Sequence, residues 1–193
     1  GIPKYTQQNV IVLPQNDLES CERILRANAH DLAGIIMELQ TGAGGVIVLE
    51  KDFVQGIRAL TEELGILMII DETITLRAGY NGMQGLYEVQ PDLVVLGKII
   101  GGGLPIGAVA GRAKYFEMGD QGLVYHSGTH HGHPLSTIAG AACMEVMDKQ
   151  TYDRLNGYAK KIKTELTQWA NENKFPFSIY GIGSHLGYEF PDE

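Results

Sequence analysis

The chain has 193 residues, 44% of them hydrophobic and 20% charged, a balance that excludes a disordered chain. A chain of this length buries about 70% of its unfolded surface, enough for a core without disulfide staples, and fits one domain plus part of another. The net charge of −8 argues against a nucleic-acid backbone or an anionic membrane surface as the main partner.

In chain order, Val10–Leu13 is a short β-prone run ended by Pro14. Asn16 or Asp17 caps a helix reaching about Ala29, with Leu18, Cys21, Ile24 and Leu25 on one face. Leu32–Met37 reads as a buried strand ending at Glu38, and 41–45 as a glycine-rich loop. A helix from Lys51 to Leu64 stops at Gly65. Ile66–Ile70 is a second buried strand, with Asp71 and Glu72 at its carboxyl end. After a Gly-punctuated stretch over 79–85, Asp92–Leu96 forms a third, closed by Gly97 and Lys98. Gly107–Ala110 is one more strand. Pro134 opens a helix to about Met147, and Thr151–Asn173 is a long amphipathic helix. Phe177–Tyr180 and Leu186–Phe190 are strands.

Near-continuous apolar strands alternating with helices predict an α/β fold, a mostly parallel sheet with helices on both faces. The character changes near Asp148, so 1–147 reads as one domain and 148–193 as the start of a small α+β domain. No apolar run has the length of a membrane span, and no basic-then-apolar leader opens the chain. Cys21 and Cys143 make no disulfide framework, so a reducing, cytoplasmic setting is expected. The opening Gly1-Ile2-Pro3-Lys4 lacks an initiator Met, and a fragment of a longer chain is expected.

In open α/β sheets ligands bind beyond the carboxyl ends of strands, where Glu38, Asp71 and Lys98 fall. Lys98 follows an apolar strand and precedes Ile99-Ile100-Gly101-Gly102-Gly103. Desolvation at an apolar strand end favours a neutral amine, the form that builds a Schiff base with an aldehyde. The alternative is a surface lysine leading into a loop. The glycines are no Walker-type phosphate loop, because the lysine precedes them. Asp71 needs a cationic or N–H partner once buried. The protonated nitrogen of a pyridine ring is one such partner; a helix cap or an internal ion pair is another. His126, His130, His131 and His133 invite a zinc reading. The segment lacks an H-E-x-x-H helix and equally reads as a loop whose Ser127, Gly128 and Thr129 face a phosphate. Leu186 stands where a Gly-x-Ser-x-Gly motif around Ser184 needs its last glycine, and Gly181-Ile182-Gly183 lacks the third glycine of a dinucleotide fingerprint.

Together these stretches resemble the class III (ornithine-type) pyridoxal phosphate aminotransferases of fold type I. Ile69-Ile70-Asp71-Glu72-Thr73 is similar to that family's Asp-Glu-Val strand end. Pro91 to Ala108, with Gly97-Lys98-Ile99-Ile100-Gly101-Gly102-Gly103-Leu104-Pro105 at its centre, resembles the family's lysine motif. Gly128-Thr129 through Pro134 resembles its Gly-Thr-x-x-x-x-Pro segment, and the similarity runs in order from about residue 10 to 190. Glutamate-1-semialdehyde aminomutases share the wording of the lysine motif. The β-amino-acid (β-phenylalanine type) aminotransferases share the Asp-Glu-x-x-Thr-x-Arg spacing of Asp71 to Arg77 and the tail from Phe175 to Gly187, and this group is favoured. Thr73 departs from the family's valine and Leu39 from its proline. The family's upstream phosphate-binding turn and ring-stacking aromatic have no counterpart here.

The resemblance implies that Lys98 holds pyridoxal phosphate as a Schiff base and, once released, shuttles a proton. It implies that Asp71 keeps the pyridine nitrogen protonated, that Thr73 lies on the cofactor ring, and that Thr129 binds the phosphate. In the family that threonine comes from the neighbouring subunit, so a homodimer with shared active sites is expected. Arg77 is a candidate contact for the substrate carboxylate, or a surface ion pair. The implied reaction transfers an amino group between an amino acid, a β-amino acid among the candidates, and a 2-oxo acid. An intramolecular aminomutase reaction and a non-catalytic remnant are the alternatives.

Overall fold

The computed structural model describes residues 1–190. A short helix α1 (Lys4–Gln7) precedes α2 (Leu18–Asn28). Asp17 caps α2, its carboxylate accepting from the Ser20 N–H at 3.0 Å. Asn16 instead bridges to the loop before the next helix, donating to the Val48 carbonyl and accepting from the Glu50 N–H. Strand β1 (Gly34–Met37) leads to α3 (Lys51–Leu64). Gly65 ends α3 with φ 69°, and the N–H groups of Gly65 and Ile66 return to the Glu62 and Thr61 carbonyls.

Strands β2 (Leu67–Asp71) and β3 (Leu93–Gly97) are separated by a 3-10 turn over Thr75–Ala78 and by helix α4 (Gly82–Leu86). A second 3-10 turn, Lys98–Gly101, links β3 to β4 (Gly107–Gly111). Helices α5 (Glu117–Asp120), α6 (Pro134–Val146) and α7 (Lys149–Glu172) follow. Asp148, where the sequence changes character, caps α7 by accepting from the Thr151 N–H. Strands β5 (Ser178–Ile182) and β6 (His185–Glu189) close an antiparallel hairpin as a separate sheet.

The main sheet has the order β1-β2-β3-β4, with β1, β2 and β3 parallel and β4 antiparallel to β3. The connection over 98–106 is too short for the crossover of about a dozen residues that a parallel partner requires. Alternation along the strands turns Ile35, Met68 and Ile70 into one buried cluster with Val54, Ile57 and Leu60 of α3 and with Cys21 and Leu25 of α2. Each such aliphatic side chain contributes about 1.5–3 kcal/mol on burial. On the other side Ile36 is 65% exposed.

Asp92, 3% exposed, clamps the amino end of β3. Its carboxylate accepts from Arg58 Nη1 of α3 at 2.8 Å, from the Met68 N–H of β2 at 2.9 Å and from the Tyr115 hydroxyl at 2.8 Å. The β-prone run Val10–Leu13 forms no strand. Val10, Ile11 and Val12 are exposed: the segment lines one cavity with the edge strand β1, but β1 hydrogen-bonds as a strand to β2 alone. β-propensity without a pairing partner does not make a strand.

Candidate active site

The carboxyl ends of β2 and β3 bring the predicted residues together. Asp71 pairs in register with Val95, and the Glu72 N–H donates to the Val95 carbonyl at 2.9 Å. Lys98 opens the turn that follows β3. Thr73, Ile74 and Arg77, beyond β2, and Lys98, Ile99 and 103–105, beyond β3, line an open cleft of about 720 Å³. A Cβ on Gly97 would lie 3.1 Å from Thr73 Cγ2, so a bare strand end lets Thr73 sit against the residue before Lys98. Lys98 itself is exposed. The desolvation expected of it from the sequence is absent, since the strand end opens onto the cleft rather than into the core.

Lys98 has φ 48°, a left-handed conformation that strains a side-chain-bearing residue by about 1–2 kcal/mol. Helix α6 holds the turn in place. A Cβ on Gly140 would lie 2.0 Å from the Ile100 carbonyl oxygen, and one on Gly102 would lie 2.4 Å from the Ala139 carbonyl oxygen. The turn and α6 therefore meet backbone to backbone, which only glycine permits at these two positions.

Asp71 is half-buried, and its Oδ1 accepts from the Thr73 N–H at 2.8 Å. Oδ2 has no donor among the described residues. Asp71 caps no helix and makes no ion pair among the described residues, so neither structural alternative for it is realised. Thr129 lies exposed in the loop before α6 and does not line the cleft. Glu38 turns to its own loop and accepts from the Gly42 N–H. In the histidine segment, rings 126 and 131 stand 5.2 Å apart and rings 130 and 133 stand 5.8 Å apart. Among the described residues no group of three or more His, Cys, Asp or Glu side chains is gathered as metal ligands are.

Three contributors escaped the sequence reading. Glu72 is fully buried and accepts from the Thr75 hydroxyl and the Met83 and Gln84 N–H groups. It folds the 73–86 segment that carries Thr73 and Arg77 to the cleft. Strand alternation is the signal for it: adjacent residues at a strand end face opposite ways, so Asp71 and Glu72 cannot share a role. Gln40 and Ser184 tie the β5–β6 hairpin to the site, Gln40 through Ile182 and His185 and Ser184 through Arg77. Contacts between residues so distant in sequence leave no local pattern.

The sequence profile of the family Aminotransferase class-III matches residues 2–193. The chain belongs to the class III aminotransferases. It is 38% identical over 192 residues to glutamate-1-semialdehyde 2,1-aminomutase 2 of Bacillus licheniformis, covering 98% of this chain and 44% of that one. Its fold matches an omega-transaminase from Sphaerobacter thermophilus with a TM-score of 0.94 and 32% identity, over 100% of this chain and 45% of that one. It matches a β-phenylalanine aminotransferase from Variovorax paradoxus with a TM-score of 0.89 and 27% identity, over 95% of this chain and 43% of that one. The chain thus spans less than half the length of these class III relatives. The mostly parallel sheet with helices read from the sequence is the fold type I architecture of those structures. No helix among the described residues is long and apolar enough to cross a membrane.

Proposed function

We propose that the protein is a pyridoxal phosphate enzyme that transfers an amino group between an amino acid and a 2-oxo acid, with Lys98, Asp71, Thr73 and Thr129 as its cofactor-binding residues. One juxtaposition carries this reading: an exposed amine on the lining of an open cleft and a half-buried carboxylate with a free oxygen, at the carboxyl ends of adjacent parallel strands. That donor set fits the cofactor. An amine suits its aldehyde and a carboxylate suits its protonated ring nitrogen. When bound, pyridoxal phosphate supplies an aldehyde for amine exchange and a ring that accepts electrons.

Lys98 would hold the cofactor's aldehyde through Nζ, and the same Nζ, when free, would move a proton. Asp71 would hold the cofactor's protonated ring nitrogen, and the Thr73 N–H, donating to Oδ1, fixes the orientation of the carboxylate. Thr73 stands against Gly97 and limits the approach of the ring. Thr129, exposed and away from this cleft, serves the phosphate at the site of a second copy, which makes a homodimer the working assembly. Residues 148–193, with their own hairpin sheet, begin a second domain, and two free cysteines suit a cytoplasmic setting.

The Asp71-to-Arg77 spacing and the likeness to a β-phenylalanine aminotransferase favour a β-amino acid donor. An aminomutase is the second reading, favoured by the 38% identity to the Bacillus licheniformis protein. Turnover that requires an added 2-oxo acid selects the first, and turnover without one selects the second. In the full-length protein Lys98→Ala should lose at least about a thousand-fold in turnover with its circular dichroism unchanged. Undiminished turnover would overturn the proposal.

A further inference from the structure

Arg77 is the one cation besides Lys98 on the lining of the cleft, and no acidic side chain lines it among the described residues. Arg77 Nε donates to Ser184 Oγ at 3.0 Å. Its two Nη groups have no acceptor, and it makes no ion pair, among the described residues. A guanidinium fixed at Nε and free at both Nη positions is prepared for a two-point pair with a carboxylate.

The partner that fixes it is itself firmly placed. Ser184 sits at the tip of the β5–β6 hairpin, next to Gly183 with φ 61°. A Cβ on Gly183 would lie 3.0 Å from Ala78 Cα and 3.1 Å from the Ala78 carbonyl oxygen, so the tip rests on the turn that carries Arg77. Asn156 of α7 donates to the same Ala78 carbonyl at 2.8 Å. Gln40, 1% exposed, latches the hairpin from the end of β1. Its Oε1 accepts from the Ile182 N–H at 2.8 Å, and its Nε2 donates to the His185 carbonyl at 2.7 Å. With the amide oriented in this way, Nε2 also donates to His185 Nδ1 at 3.0 Å, so the imidazole is neutral. Burial and then the charge of Arg77 lower the His185 pKa, against the opposing effect of Glu38, in agreement with that state. His185 therefore adds no second cation beside Arg77.

We infer that Ser184 is a positioning residue for substrate recognition: it holds Arg77 by Nε so that the two Nη groups pair with the carboxylate of an amino-acid substrate in the cleft. This deepens the proposed function and rests on it. The Gln40 latch and the close fit of Gly183 on Ala78 keep Ser184 in place. An arginine without this tether loses more side-chain freedom on binding, so the effect falls on substrate affinity rather than on the chemical step.

The test uses the full-length holoenzyme as wild type, Ser184→Ala and Ser184→Thr, titrated with 3-amino-3-phenylpropanoate and with 1-phenylethylamine, which lacks the carboxylate. The affinity of Ser184→Ala for the amino acid should fall roughly ten-fold with kcat little changed. Its affinity for the amine should be unaltered, and Ser184→Thr should restore most of the loss. The absorption of the bound cofactor, recorded before substrate is added, reports on Lys98 separately. Normal absorption in all three proteins with equal amino-acid affinity, or an equal loss for both ligands, would overturn the role of Ser184 and leave the Lys98 proposal standing.

Discussion

Asp71, Glu72 and Asp92 show how position decides what a carboxylate does. Asp71 and Glu72 are neighbours at one strand end, yet Asp71 keeps one oxygen without a donor among the described residues while Glu72 is buried and held by three donors. Asp92 works at the opposite end of the sheet. Burial by itself would raise its pKa, but the Met68 N–H, the Arg58 guanidinium and the Tyr115 hydroxyl outweigh burial and hold it down to about 2. Its folded pKa lies below the unfolded value of 3.8, so its contribution is complete above about pH 4. That contribution, about 2 kcal/mol, is lost as the pH falls from about 4 towards 2. Acid titration of stability should show this loss in the wild type, and Asp92→Asn should be less stable at neutral pH and lack that part of the pH dependence. An unchanged acid profile in the variant would contradict the clamp. In the sequence the lysine motif singles out Lys98, and the Ile69–Thr73 strand end singles out Asp71, as candidates. Gln40 and Ser184 were not legible there, because their partners are set by tertiary packing.

Among the elements, those with local signals were legible: the Asp17 cap, the Gly65 stop and the Pro134 start all stand where chain chemistry puts them. The β-prone run Val10–Leu13 forms no strand because pairing is a property of two segments and not of one. The contact that matters most for the site is also non-local. Helix α6 touches the Lys98–Gly101 turn through Gly140, and nothing in either segment announces the other. Gly140→Val should push the turn away, destabilise the chain by about 1–3 kcal/mol in urea unfolding and weaken cofactor binding. Unfolding and cofactor affinity like those of the wild type would show that α6 does not support the turn.

At the scale of the whole molecule, one face of the sheet is closed by α2 and α3, while Ile36 on the other lies open. The site forms where three features converge: the β2 end, the β3 end and the tip of a hairpin drawn in from the far end of the chain. Lys98 is the residue proposed to hold the cofactor there. The most direct measurement is borohydride reduction of the full-length protein with pyridoxal phosphate bound, followed by peptide mass mapping. The account predicts a pyridoxyl adduct on Lys98 alone. An adduct on another lysine, with Lys98 unmodified, would contradict it.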